Sequence, residues 1–484
     1  MSSSTPLIFW FRQDLRLTDQ PALTAALAHA QQTGQRVIAL YILDESKGTR
    51  PLGGASRWWL HHSLTSLMQK IPLTLRKGPA AQVLDDVIKQ SNASGVFWSR
   101  CYEPYAIERD KEIKASLTAR GLLAESFNSS LLIEPWELKT KTGTPYQVFT
   151  PFWKAARAVI DAAPTIIKPL PAVDPAGFAP PLASEQLSDW QLLPTSPDWA
   201  KSFTPHWQPG EDGAKQNLIR FLDHAIHGYK EDRNLPAGQH TSRLSPHLHF
   251  GEISPRQIWY ATQTAIAAGR VQPDANSDQF LAEVGWREFS YHLLYHFPTL
   301  VHAPLNAKFA AFPWLDDAKG LRAWQRGMTG YPIVDAGMRE LWQTGWMHNR
   351  VRMIVASFLV KDLMVPWQQG EDWFWDTLLD ADLASNVCSW QWVAGCGADA
   401  APYFRVFNPA LQGEKFDASG AYIRRYVPEI AELPDKWIHR PFEAPKDVLQ
   451  AAGIKLGTTY PHPLVDHSFA RDRALAAFAE IKGS

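Results

Sequence analysis

Apolar and polar positions alternate in blocks along the first quarter of the chain. Leu7–Phe11 is a short, wholly apolar run and 37–43 is another, while 73–76, 96–99 and 122–127 read as further short strands with a few polar residues among the apolar ones. Between them lie stretches with helical spacing: 21–30, 58–68, 83–88 and the charged amphipathic 103–120. Thr18 and Asp19 stand where a cap for the first helix would sit, with Pro21 in its first turn. Strand–helix alternation with continuous apolar strands predicts a parallel sheet buried on both faces. No GxGxxG follows the first strand, so an ordinary dinucleotide site is not expected there.

Beyond 132 the pattern breaks. Prolines cluster at Pro164, Pro169, Pro171, Pro175, Pro180, Pro181, Pro194, Pro197 and Pro205, which predicts an irregular connection across 133–206. From Gly213 onward helical periodicity dominates, as in 216–226, 279–295, 331–342 and 350–363, with no strand alternation and no internal repeat. The expected organisation is an α/β domain over 1–132, a linker over 133–206 and a large all-helical domain over 207–484.

Composition narrows this further. The 484 residues are 45% hydrophobic and 20% charged, ordinary for a globular protein. No apolar run approaches the length of a membrane helix, and no basic stretch precedes an apolar one at the start, so neither membrane span nor signal peptide is expected. Three cysteines, Cys101, Cys388 and Cys396, lack CxxC spacing, which fits a reducing cytoplasm and argues against a disulfide framework or metal site. A net charge of −1 does not advertise nucleic-acid binding, though an overall balance can hide a local basic groove. Of the 21 tryptophans, ten lie between Trp286 and Trp392. Most of these are expected simply to fill a core.

Several segments carry a more specific signal. They are FWFRQDLRLTD at 9–19, EPYAIERD at 103–110, TSRLSPHLHFGEISPRQ at 241–257, EVGWREF at 283–289, TGYPIVDAGMRELWQTGWMHNRVRM at 329–353, DADLASN at 380–386 and WQW at 390–392. Together, and in this order, they resemble the photolyase/cryptochrome family, most closely its bacterial class I cyclobutane-dimer photolyases. The resemblance covers essentially the whole chain. It implies a Rossmann-like antenna domain, a long linker and a helical domain that holds FAD and binds UV-damaged DNA. It also implies light-driven repair in a cytoplasmic monomer, without a metal. In the family, reduced FAD absorbs light, gives an electron to a flipped-out pyrimidine dimer and recovers it after the ring splits.

The residues make chemical sense beside the resemblance. Thr241, Ser242 and Ser245 offer hydroxyls and N–H groups at the start of a helix, a setting for a diphosphate, with Arg243 adding charge and Leu244 between them. An ordinary Ser-capped helix would read the same way. Asp382, Asn386 and Trp390 are four apart and would share a helix face. The resemblance assigns flavin contacts to Tyr229, Arg287, Asn349, Arg352, Asp380, Asp382 and Asn386, with Asn386 facing N5. A neutral amide can serve either redox form there because it both donates and accepts. The common family run after this position is Asn-Asn-Gly-Gly; here it is Asn386, Val387, Cys388, Ser389, which alters the local polarity. Trp390, Trp367 and Trp314 match the family's row of electron donors. Glu283, Trp286, Asn349, Met353 and Trp392 match its lesion pocket, where broad indoles can pack against pyrimidine rings. Glu283 could equally form a plain ion pair with Arg287. Arg233, Arg350, Arg405 and Lys154 are candidate phosphate contacts.

The antenna positions match less well. A folate-binding Asn–Glu pair is replaced by Tyr105 and Ala106, and the aspartate used by deazaflavin-binding members is Cys101. A second chromophore, folate or deazaflavin, is therefore left open. The rival functions are a cryptochrome-type photoreceptor, a (6-4) photolyase and a flavin dehydrogenase. A receptor is expected to carry a long C-terminal tail, and the chain ends soon after its last helical segment. No nicotinamide site supports the dehydrogenase.

Overall fold

The computed structural model describes residues 5–399 and 404–483. Its contacts divide into two compact units, one of Met1–His227 with Ser242–Pro298, the other of Gly228–Thr241 with Thr299–Ser484.

The first unit is built on five parallel strands, β1 (Leu7–Phe11), β2 (Val37–Leu43), β3 (Leu73–Lys77), β4 (Gly95–Ser99) and β5 (Leu123–Phe127), in the order β3-β2-β1-β4-β5. Leu7 pairs with Val37 on one side and with Gly95 on the other. Four helices connect them: α1 (Pro21–Thr33), α2 (Gly54–Met68), α3 (Ala80–Ser91) and α4 (Pro104–Ala119). Because strand side chains alternate, Ile8, Trp10, Ile38, Leu40, Val96 and Trp98 project to one face. There they bury against Val83, Leu84 and Val87 of α3 and Ile113 and Leu117 of α4. Helix α1 covers the other face with Ala22, Leu23 and Ala26. The expected parallel sheet, covered on both faces, is what forms.

Two local expectations are corrected. The cap of α1 is Gln20, without a side-chain hydrogen bond, and not Thr18 or Asp19. Asp19 is wholly buried and its carboxylate instead meets Ser254, Arg256 and the Leu170 N–H. The connection over 133–206 is irregular from its proline cluster onward, but before it lies α5 (Phe149–Ala162), which buries Phe149, Phe152, Ala156 and Ile160 at helical spacing. The first of the clustered prolines, Pro164, falls just past the end of this helix.

The helix Ala275–His296 also belongs to this unit. Asp274 caps it, accepting the N–H groups of Asn276 and Ser277. Its buried Glu288 accepts the N–H groups of Leu132 and Ile133 at 2.8 and 3.3 Å, tying the segment after β5 to the helix.

The second unit is helical throughout its named elements: Pro332–Thr344, Asn349–Ser357 running into a π-turn at Phe358–Asp362, Trp367–Thr377, Leu383–Ala394 and His467–Gly483, with shorter pieces between. Asp335, buried in the first turn of Pro332–Thr344, accepts from Thr329, the Gly330 N–H and the Tyr460 hydroxyl. No described helix is long and apolar enough to cross a membrane.

Candidate functional site

In the second unit, the helix Asn349–Ser357 starts at His348, whose Nδ1 accepts the Arg350 N–H at 3.2 Å. That bond leaves the proton on Nε2, which is buried without a hydrogen-bond partner among the described residues. Burial, reinforced by Arg352, Arg233, Arg350 and His240, pushes the imidazole down to about 3. Asn349 is exposed and Met353 half-buried, one turn apart on this helix. Arg350 donates to Asn234 Oδ1 at 2.6 Å, lies 4.5 Å over the Phe416 ring and touches the Met353 sulfur at 3.7 Å. Arg352 forks onto Asp380 with two bonds of 3.0 and 2.8 Å and holds the Met347 carbonyl at 2.7 Å. A bidentate guanidinium–carboxylate pair fixes the plane as well as the position of both groups.

Asp382 is the cap of Leu383–Ala394, accepting the Ser385 N–H at 2.8 Å. It therefore does not project along a helix face with Asn386 and Trp390, as the four-residue spacing suggested; a capping carboxylate folds back over the first turn. Asn386 is buried, and its amide N–H group donates to the Glu371 carboxylate at 2.7 Å and the Glu371 carbonyl at 3.1 Å. With the amide nitrogen so engaged, Oδ1 points to the other side. Sequence reasoning missed Glu371, fifteen residues away on Trp367–Thr377, because nothing local ties the two. Val387 is buried, Cys388 half-buried and Ser389 exposed.

Trp390 is buried against Phe374 at 5.0 Å and Trp324 at 6.2 Å, both edge-on. Gly370 permits this, since a Cβ there would fall 2.1 Å from the indole. Among the described residues the Trp390 Nε1 has no hydrogen-bond partner. Trp367 is buried, and Trp314 is half-buried beside Phe312 at 4.4 Å. Trp392 donates to the Asp399 carbonyl. Tyr229 is buried beneath Arg233, 5.8 Å from its ring. Thr241 is half-buried, and Arg405 is exposed with its carbonyl accepting from Lys361.

The first unit holds the remaining candidates. Ser242 and Arg243 are half-buried; Arg243 takes a left-handed backbone conformation, φ 53°, and lies 4.4 Å over the Trp207 ring. The following helix, Ser245–His249, is a single short piece capped at Leu244 without a side-chain bond, so Ser245 is its first residue and no serine caps it. Glu283 accepts from Gln279 at 2.7 Å. Arg287 donates to the Ser130 carbonyl at 2.6 Å and lies 4.7 Å from the Tyr291 ring. Trp286 stacks on Phe149, ring centres 3.7 Å apart and planes within 8°. Lys154, on α5, is exposed.

At the C-terminal edge of the sheet, the family's antenna positions meet a knit of ion pairs. Arg12 and Arg109 both lie over Trp10, at 4.7 and 5.0 Å, and both pair with Asp110. Arg109 reaches Asp44 as well. Burial pushes the Cys101 thiol up to about 12, and Tyr105 higher than its ordinary value. The order β3-β2-β1-β4-β5 places the switch point between β1 and β4 here, where such sheets hold ligands.

The groups of the second unit suit a flavin nucleotide by their chemistry. The set offers an oriented buried amide, carboxylates able to accept hydroxyl hydrogens, hydroxyl donors at Tyr229 and Thr241, and a buried indole N–H still to be satisfied. Comparisons with known proteins agree. Residues 280–480 match the family described as FAD binding domain of DNA photolyase, and residues 7–175 match DNA photolyase. A deoxyribodipyrimidine photo-lyase of Agrobacterium fabrum is 53% identical, over 99% of this chain and 98% of that protein. Cryptochrome-1 of Arabidopsis thaliana is 38% identical, over 98% of this chain and 70% of that one. The crystal structure of a bacterial class III photolyase from Agrobacterium tumefaciens superposes with a TM-score of 0.94 at 52% identity, over the whole of both chains. That photolyase belongs to class III, whereas the sequence motifs resembled class I.

Proposed function

The chain belongs to the DNA photolyase and cryptochrome family, and we propose that it is a DNA repair enzyme that splits cyclobutane pyrimidine dimers under light. FAD would be held by Tyr229, Thr241, Ser242, Arg243, Leu244, Ser245, Arg287, Asn349, Arg352, Asp380, Asp382 and Asn386. When bound, it supplies a light-driven electron and takes it back. Glu371 orients the Asn386 amide, and the Arg352–Asp380 fork sets the carboxylate plane. Trp390, Trp367 and Trp314 would relay electrons inward from the surface. The dimer must leave the helix to be reached. Glu283, Trp286, Asn349, Met353 and Trp392 would receive it, with Arg233, Arg350, Arg405 and Lys154 on the phosphates.

The lesion assignment rests on one observation, the chemistry of the helix Asn349–Ser357. A (6-4) product requires a hydroxyl or amino group to move between bases, so a proton donor is needed; in the family two histidines supply it. Asn349 and Met353 stand at those positions, and neither is a general acid. The adjacent His348, held down to about 3, is neutral at working pH. A cyclobutane ring needs only an electron and its return, and a thioether offers it an adaptable apolar surface. The similarity to Cryptochrome-1 supports a photoreceptor as the second reading, at lower identity than to the photo-lyase. The test is to illuminate reduced protein with oligonucleotides carrying one defined lesion each. Light-dependent restoration of the cyclobutane substrate alone is expected. Restoration of the (6-4) substrate alone would overturn the lesion assignment, and no repair of either would favour the receptor.

A further inference from the structure

Helix α5 presents Phe149 and Trp153 four residues apart, on one face. Their rings lie within 13° of parallel, with centres 6.2 Å apart. The helix Ala275–His296 lays Trp286 flat on Phe149 at 3.7 Å. Beside it, Gly285 lets Trp153 reach the helix backbone, since a Cβ at 285 would lie 2.5 Å from the Trp153 ring. Trp259 closes the far end edge-on to Trp153 at 5.7 Å, under the Arg157 guanidinium at 5.2 Å. Phe289 meets both Phe149 and Trp286 edge-on, at 6.0 and 5.9 Å. Three flat rings thus form a column ending in Trp286, with a fourth ring blocking rotation at its side.

We infer that Phe149 and Trp153 are positioning residues for Trp286, holding its indole so that the face away from Phe149 is presented, pre-set, to a flipped-out pyrimidine pair. This rests on the lesion-contact reading of Trp286 above. A parallel stack at 3.7 Å leaves no room for water on the Phe149 side. The indole is nonetheless only half-buried, so the surface it keeps lies on its other face and edge. An indole free to turn would lose freedom on binding; one already clamped loses little, and affinity gains by that difference. The column acts through Trp286 and adds no contact of its own to the ligand.

The experiment measures dark affinity for an oligonucleotide with a single cyclobutane thymine dimer and for the same oligonucleotide undamaged. It compares the full-length FAD-loaded parent, Phe149→Leu, Phe149→Tyr, Trp286→Ala and the Phe149→Leu/Trp286→Ala double variant. Phe149→Leu is expected to lower the damaged-to-undamaged ratio about 3–10-fold, the size of one aromatic pair, with undamaged affinity unchanged. Phe149→Tyr restores the ratio, and in the Trp286→Ala background Phe149→Leu changes it less than about twofold. Should Phe149→Leu not retain FAD, Trp153→Phe is read the same way. Parental discrimination in Phe149→Leu, with discrimination lost in Trp286→Ala, overturns the positioning role alone. Equal loss on both DNAs also overturns it, as a merely structural effect. An unaffected Trp286→Ala removes the lesion-contact reading and this inference with it.

Discussion

At the scale of the residue, position in three dimensions decides what each side chain can do. His348 carries an ionisable imidazole directly beside Asn349. As the cap of Asn349–Ser357, with Nδ1 committed to the Arg350 N–H and three arginines facing it, it is a neutral hydrogen-bond acceptor. The consequence can be measured. An imidazole held down to about 3 in the folded protein, against 6.5 ordinarily, takes up its proton only in the unfolded chain between those values. Stability from this residue is therefore complete above 6.5 and is lost as pH falls toward 3. His348→Asn keeps a good capping acceptor and removes the titration. The variant should lose less stability than the parent between pH 7 and pH 4, read as the shift in the urea midpoint. Parallel curves for the two proteins would show that His348 is not the group responsible. At this scale the sequence motifs name candidates such as Asn386 and Arg352, and the candidate site is legible only that far. It was not legible where a partner comes from another helix. Nothing near Asn386 in sequence announces Glu371, and nothing near Trp286 announces Phe149.

At the scale of the element, the sheet was readable because five short, mostly apolar strand segments alternating with helical stretches admit few arrangements other than a covered parallel sheet. Helix α5 was missed because the proline cluster after it coloured the reading of the whole connection, although 149–162 carries an apolar stripe of its own. The short piece Ser245–His249 does begin at Ser245, as the serine-rich start led one to expect, but the ordinary Ser-capped alternative is not what forms: the N-cap is Leu244, without a side-chain bond, and the backbone turns left-handed at Arg243. The helix Ala275–His296 offers a prediction at this scale. Its Glu288, buried and pushed up to about 7 from an ordinary 4.5, clamps Leu132 and Ile133 through one oxygen. Between those values the folded protein keeps a proton that the unfolded chain has released, so stability falls as pH rises from 4.5 to 7. The effect is on the order of 3 kcal/mol at most. Glu288→Gln retains an oxygen for both N–H groups and cannot ionise. It should flatten the decline across that range and be the more stable protein at pH 8. A variant that declines as steeply as the parent would place the titration elsewhere.

At the scale of the whole molecule, charge is nearly balanced, with 48 basic and 49 acidic residues, which by itself predicts little attraction for DNA. Balance overall does not mean balance everywhere. Within the second unit, Arg350 is tethered to Asn234 and stacked on Phe416, and Lys415 lies 5.2 Å from the same ring. Arg425 donates to the Ala237 carbonyl in the loop that carries Asn234, and Arg233 sits over Tyr229 just before it. Four cationic side chains are thereby gathered onto neighbouring segments, and the aromatic and amide contacts hold at least Arg350 in one place. A guanidinium fixed in advance loses less side-chain freedom when it meets a phosphate. Each phosphate neutralised releases condensed counterions, which sets how steeply affinity falls with salt. Arg350→Ala should therefore weaken binding to damaged and undamaged duplexes alike. It should also lower the slope of log affinity against log salt by about 0.9 if the residue meets one phosphate of B-form DNA. Trp286→Ala should change the slope hardly at all, because an indole carries no charge to exchange for a counterion. Fluorescence anisotropy with labelled oligonucleotides between about 50 and 200 mM salt separates the two behaviours. A slope unchanged in Arg350→Ala would mean that the gathered cations serve the fold and that the DNA backbone is met elsewhere.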